Sequence, residues 1–306
     1  ITGAGTCVIS SAVAQGAFHM AATTTTNVSV TINPKALTIT ASSHTLTYGD
    51  PTPTITPSYS AFAYNETASD LTTAPNCSTT HTTTSTALID VPTTCSGAAS
   101  QNYSISYVAG VITIAKQSIA VTFDSASLMQ VFNGSARVVT ATTSVVGRKL
   151  IFTFTPIGGD GQSVTTPPTN AGMYSVVATV SEANYEGSAF ATLLVDRADQ
   201  TPLKFANGAS AQYGSTLQLV VLGGSGSGAL TYRVRSGKCA ISAIGLLTNT
   251  GAGSCVIRAI KAASANHVAA TSEDLTVTVK KQDQTLEWVS MLPSSPIAGS
   301  SYLSLI

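Results

Sequence analysis

Apolar and hydroxyl-bearing residues alternate along much of this chain. The segments NVSVTI (27–32), ALTIT (36–40), VITI (111–114) and LTVTV (275–279) interleave valine, isoleucine or leucine with threonine or serine. Side chains on an extended backbone point to opposite faces in turn, so this period of two predicts half-buried strands with one face in a core and one in water. No segment carries an i, i+3, i+4 stripe over three helical turns. Turn-forming clusters punctuate the strands: YGDPTP from Tyr48, NGS from Asn133, GGDG from Gly158 and GGSGSG from Gly223, the last expected to be a flexible hairpin turn. Many short strands with such punctuation predict an all-β chain of β-sandwiches.

The pattern repeats. TGAGTCVI at 2–9 returns as TGAGSCVI at 250–257, and the match runs on through Ala14, Ala17 and His19 onto Ala262, Ala265 and His267. Near the other end, QDQTLEW at 282–288 restarts the pattern of ADQTPLKF at 198–205. An aromatic followed closely by glycine phases the repeat at Tyr48-Gly49, Phe132-Asn133-Gly134 and Tyr213-Gly214, about 80 residues apart, with Ile297-Ala298-Gly299 as a weaker fourth instance. Late in each unit comes a short motif ending in an aromatic or histidine: QNYSI from Gln101, ANYEG from Ala183, ANHVA from Ala265, and the divergent AFHMA from Ala17. These markers divide the chain into the C-terminal half of one module (1–34), three complete modules (35–117, 118–198 and 199–281) and the N-terminal strands of another (282–306). The chain reads as a window on a longer tandem array. Only a few polar residues separate the last strand of one module from the first of the next, which predicts an extended, semi-rigid rod.

Composition narrows the function classes. Charged residues are only 9% of the chain, the formal net charge is zero and the hydroxyl residues do the wetting. With no basic run there is no electrostatic footprint for nucleic acid. No apolar stretch approaches the ~20 residues that cross a bilayer, so no membrane insertion is expected within this window.

The segment LTITASSHTLTYGDPTPTITPSY, followed by PNCSTTHTTTS, TTCSGA and NYSISYVAGVITIAK, resembles the MBG class of bacterial immunoglobulin-like (Ig-like) repeats. Val111-Ile112 stands where that pattern more often has a polar residue and leucine. NAGMYSVVATVSEANYEG, from Asn170, resembles a sister MBG-type repeat. GALTYRVRSGKCAIS and GAGSCVIRAIKAASANH resemble the Cys-paired Ig-like repeats found beside MBG modules in very large bacterial surface proteins. The resemblance implies tandem Ig-like sandwiches in an extracellular or cell-surface, adhesin-like protein. It brings no catalytic residues and no cofactor.

The five cysteines fit that picture. Cys77 and Cys95 fall in one module and Cys239 and Cys255 in another, and in an oxidising compartment they are expected to form two disulfides. Closing a loop of about 15 residues stabilises by about 3 kcal/mol in the chain-entropy model. Cys7 aligns with Cys255 and is expected to be unpaired within this window, its partner lying upstream of Ile1. A zinc site at Cys77, His81 and Cys95 lacks a fourth ligand and the usual spacing.

No constellation for catalysis stands out. His19 and His267 occupy the place of Tyr185 and read as structural, the acidic residues are scattered, and GGSGSG lacks the context of a nucleophile elbow or a dinucleotide loop. Tyr59 and Tyr64, beside a variable stretch, are the best candidates for contact with a surface glycan or protein receptor, and core packing is the competing role. The sequence therefore predicts a structural stalk or fibre segment of a large bacterial surface protein, partnered by copies of itself or by neighbouring modules. Glycan- or protein-binding adhesin modules, and a spacer array within a secreted enzyme, are the alternatives.

Overall fold

The computed structural model describes residues 3–23, 26–159, 161–287 and 298. Among these, the regular elements are strands and two short 3-10 turns, Ala68–Asp70 and Ser125–Leu128. Alternation becomes burial as expected: Lys35–Ala41, Gly110–Ala115 and Leu275–Lys280 each bury every second residue over their later positions.

The first complete module pairs two sheets. One runs Tyr103–Val108, Lys35–Ala41, Pro57–Tyr59; the other runs His44–Thr47, Gly110–Ala115, Val91–Ser96, Asn76–Thr79. Between them lie Ile39, Ala41, Ile55, Cys95, Ile112 and Ile114. In the second module the main sheet is Met129–Val131, Ser188–Asp196, Gly172–Val180, Leu150–Pro156, with Val121–Phe123 and Ala141–Thr143 as a separate pair. Phe154, Val139, Val176, Leu193 and Val195 fill its core. The third module sets Ser210–Gln212, Leu275–Lys280, Gly253–Lys261 and Leu230–Ser236 against Thr216–Gln218, Leu246–Asn249 and Cys239–Ile241. Leu219, Leu247, Cys255, Ile257 and Val277 lie between them.

One feature of the topology recurs in all three. A short early strand lies parallel to the module's last strand: His44–Thr47 on Gly110–Ala115, Met129–Val131 on Ser188–Asp196, Ser210–Gln212 on Leu275–Lys280. The aromatic that phases the repeat follows at once. Its N–H donates to the carbonyl at the end of the last strand: Tyr48 to Ala115 at 2.9 Å, Phe132 to Asp196 at 2.8 Å and Tyr213 to Lys280 at 2.9 Å. The repeat marker is therefore a structural position, the exit of the module.

Two sequence expectations change. Val28–Ile32 is a strand, but among the described residues it pairs only with Gly5–Ile9 and is largely exposed on both faces; the other sheet in residues 3–34 is the two-residue pair Ala12–Val13 with Ala22–Thr23, itself exposed. GGSGSG is not a hairpin turn. Val221–Leu222 before it pairs with Lys204–Phe205, and Leu230–Ser236 after it pairs with Gly253–Lys261, so the run crosses between sheets. It is also anchored, since the Gly226 N–H donates to the buried Gln200 Oε1 at 3.1 Å while Gln200 Nε2 donates to the carbonyls of Ala262 and Val268. Of the expected GGDG turn, Gly158 stands in a turn at φ 87°, while Asp160 itself, and most of the strands expected in 282–306 with Ile297 and Gly299, lie outside the described residues.

Candidate functional site at the module junctions

The last strand of the first module ends at Ala115, and Gln117–Ser118 already pairs, in parallel, with Tyr185–Glu186 of the second. Only Lys116 intervenes, and its Nζ donates to the Glu182 carbonyl at 3.0 Å. The next junction is built alike: Ser188–Asp196 ends, Arg197 follows, and Ala198 bridges in parallel to His267. Each entry opens on the same main-chain bond: Lys35 N–H to Asn102 O at 2.9 Å, Gln117 N–H to Asn184 O at 3.0 Å, Ala198 N–H to Asn266 O at 3.0 Å.

The same asparagines turn their side chains back on the preceding unit. Asn102 Oδ1 accepts the Ala4 N–H at 3.0 Å, Asn184 Oδ1 accepts Ala87 N–H at 2.9 Å, and Asn266 Oδ1 accepts Ala171 N–H at 2.8 Å. In each case the alanine precedes a residue held at positive φ, Gly5 at 136°, Leu88 at 62° or Gly172 at 156°. That conformation costs little for glycine and about 1–2 kcal/mol for leucine.

Beside each asparagine stands a ring. Tyr185 meets Tyr48 of the preceding module edge-on with centroids 5.4 Å apart, and His267 meets Phe132 likewise at 5.3 Å. Arg148 stacks on Tyr185 at 4.8 Å from the ring centre. Asn266 adds a second contact, Nδ2 donating to Asn170 Oδ1 at 3.1 Å. Tyr103, the first ring of the series, behaves differently. It is buried against Phe62, accepts the Ala63 N–H at 2.8 Å and donates to Glu66. Desolvation raises its pKa most, with the Glu66 bond and the negative charges of Glu66 and Asp70 pushing the same way against the Ala63 bond.

The sequence-selected residues fall elsewhere. Cys77 and Cys95 form a disulfide between directly opposed residues of neighbouring strands, and Cys239 and Cys255 form one that joins two sheets. Cys7 is free and exposed. His81 is buried with Nδ1 at 3.2 Å from the Thr52 hydroxyl, and among the described residues no cluster of His, Cys, Asp and Glu is placed to hold a metal. Tyr59 is half-buried against Phe62, and burial raises its pKa. Tyr64 is 79% exposed and rims a cleft of about 490 Å³ with Asn33, Lys35, Glu66 and Asn102. The junction partners were missed because sequence displays the markers one at a time.

No helix among the described residues is long and apolar enough to cross a membrane. No curated protein matches the chain. Among solved structures it is similar to Drosophila N-cadherin EC1-4, with 14% identity, 89% of this chain and 82% of that one covered, and a TM-score of 0.29. It is also similar to titin domains I67–I69, in an E-to-A variant, with 12% identity, 81% and 97% covered, and a TM-score of 0.30. Family models match twice. Residues 37–113 match the MBG domain of YGX type, whose Tyr-Gly-X is here Tyr48-Gly49-Asp50, and residues 120–199 match the MBG domain. With its all-β Ig-like modules, two disulfides and paired family matches spanning 37–199, the chain belongs to the MBG-type repeats and is a tandem segment of a large modular protein of extracellular type.

Proposed function

We propose that this chain is a structural stalk or fibre segment of a very large, repetitive bacterial surface or secreted protein, serving adhesion, matrix or filament formation. The observation that carries this reading is the repeated junction: one intervening residue, a main-chain bond, and a side-chain bond back to the preceding unit at Asn184 and again at Asn266. Such joints leave little slack for hinging, and each module keeps its own core. The disulfides suit an oxidising exterior and help small domains that bury proportionately less surface. Modules in series would hold a terminal group away from the cell. Electron microscopy of native material tests this. Straight filaments with an axial repeat of about 40 Å, given strands of ~20 Å or more in end-to-end sandwiches, support it. Collapsed, randomly bent strings at the single-module scale overturn it.

A second reading has one observation in its favour. Tyr64 stands exposed over the cleft near Lys35, Glu66 and Asn33, a ring with polar neighbours of the kind that contacts glycans or protein receptors. Loss of glycan-array or receptor binding in Tyr64→Ala would establish it, and unchanged binding would remove it.

A further inference from the structure

We propose that each Asn-aromatic pair is a docking plug that fixes the angle between neighbouring modules, and that its partner is a socket made of one exit aromatic and one alanine N–H on the module before it. The plugs are Asn184-Tyr185 and Asn266-His267; their sockets are Tyr48 with Ala87, and Phe132 with Ala171.

The chemistry of the two parts is complementary. The socket amide belongs to an alanine at a reversal of the chain, and in the second socket Gly172 begins the next strand immediately after it. An asparagine oxygen reaches that amide while the asparagine main chain accepts the incoming strand's first N–H, so one residue holds both the linker and the preceding module. A neutral amide does this without the salt sensitivity of an ion pair. The aromatic pair supplies the second point of contact. Two points fix a direction that one swivelling bond would leave free. The rings differ between joints, Tyr on Tyr and His on Phe, while asparagine and alanine stay the same. The polar bond is therefore the shared recognition element and the ring pair the adjustable one. Tyr185 is oriented from its own side by Arg148, whose buried Nε has no hydrogen-bond partner among the described residues.

The third module presents the same socket. Tyr213 donates its N–H to Lys280 O as its counterparts do, Ala252 precedes Gly253 at φ 128°, and a cleft of about 740 Å³ opens between Tyr213, Ala252 and Gln282. Tyr213 is 47% exposed, whereas Tyr48 and Phe132 are half-buried under their partners. The structure assigns this cleft to the Asn-aromatic plug of a further module of the same kind. The joint goes beyond the stalk reading, since it would set module angles in a receptor-binding array as well.

The test uses the whole chain and site-resolved amide exchange. In Asn184→Ala the Ala87 amide is expected to exchange about tenfold faster, and in Asn266→Ala the Ala171 amide likewise, with the long ladders of the second module unchanged as the control for folding. Asn184→Asp, which keeps an acceptor oxygen, is expected to retain most of the protection. Ala252 is the internal contrast and should exchange as Ala87 does in the unplugged variant. Spin labels at the exposed Thr94 and Thr192 should give a broader distance distribution in Asn184→Ala, and also in Tyr48→Ala, where the change is on the socket side. Unchanged Ala87 exchange in Asn184→Ala, or a distribution as narrow as the parent's, overturns the proposal. Neither result bears on whether the array forms filaments.

Discussion

The second module contains no disulfide, and the modules on either side of it contain one each. In the second, Gly172–Val180 lies between two long ladders, eight paired positions with Ser188–Asp196 and seven with Leu150–Pro156, over a core centred on Phe154 with Phe123, Phe132 and Phe152 against it. In the first, Gly110–Ala115 shares only three paired positions with Val91–Ser96, and aliphatic residues and alanines make most of the main core. Covalent closure and a long, aromatic-backed ladder are thus alternative ways for a domain of this size to hold its sheets together. The two disulfides also differ from each other. Their sequence separations, 18 and 16, make them nearly equal in chain-entropy terms, yet one ties adjacent strands and the other spans the core through the buried Cys255.

The sharpest way to break this comparison is Phe154→Ala. Removing a ring that is only 2% exposed is expected to destabilise the second module by about 3–5 kcal/mol and leave the transitions of its neighbours in place, as calorimetry would resolve. Next in size is reduction of the disulfides, expected to lower the first and third modules by about 3 kcal/mol each and the second by nothing. A second-module transition that falls with the others would show that the modules unfold together.

Alkaline titration sharpens the contrast from another side. Burial raises the phenol pKa of Tyr59 and Tyr103 in the first module, against Tyr174 alone in the second and Tyr232 alone in the third. A raised pKa means that the folded state keeps a proton the unfolded chain releases. The associated stability is whole below about pH 10 and is lost as pH rises through the folded values. Denaturant melts taken from pH 9 upward should therefore show the steepest decline in the first module. The smallest effect concerns Leu88, 73% exposed and held at φ 62° where the corresponding position of the second module is glycine. Leu88→Gly is expected to stabilise the first module by about 0.5–1 kcal/mol, since relief of the left-handed strain outweighs the extra freedom given to the unfolded chain.

Much of this was legible in sequence because it was local or repeated. Alternation gave the strands, and cysteines within a short stretch of one another gave the disulfides. Tyr48, Phe132, Asn184 and His267 were visible as phase markers as well. Their partnerships were not, because the bonded residues Asn102 and Ala4, Asn184 and Ala87, and Asn266 and Ala171 stand 98, 97 and 95 residues apart on different modules. No periodicity within a module reports a contact made between modules. The setting of Tyr59 was hidden for a related reason: a tyrosine beside a variable loop reads the same whether its ring turns outward or packs, as here, on Phe62.

Asn102, Asn184 and Asn266 follow one another in equal steps of 82 residues. Each is paired with an alanine of the unit before it, so the instructions for a joint are split across a boundary and repeated at every boundary. Excising or duplicating a stretch between equivalent points in the corresponding gene would restore a complete joint at the new seam. Unequal crossing-over between repeats, ruinous in most reading frames, would here change only the number of links.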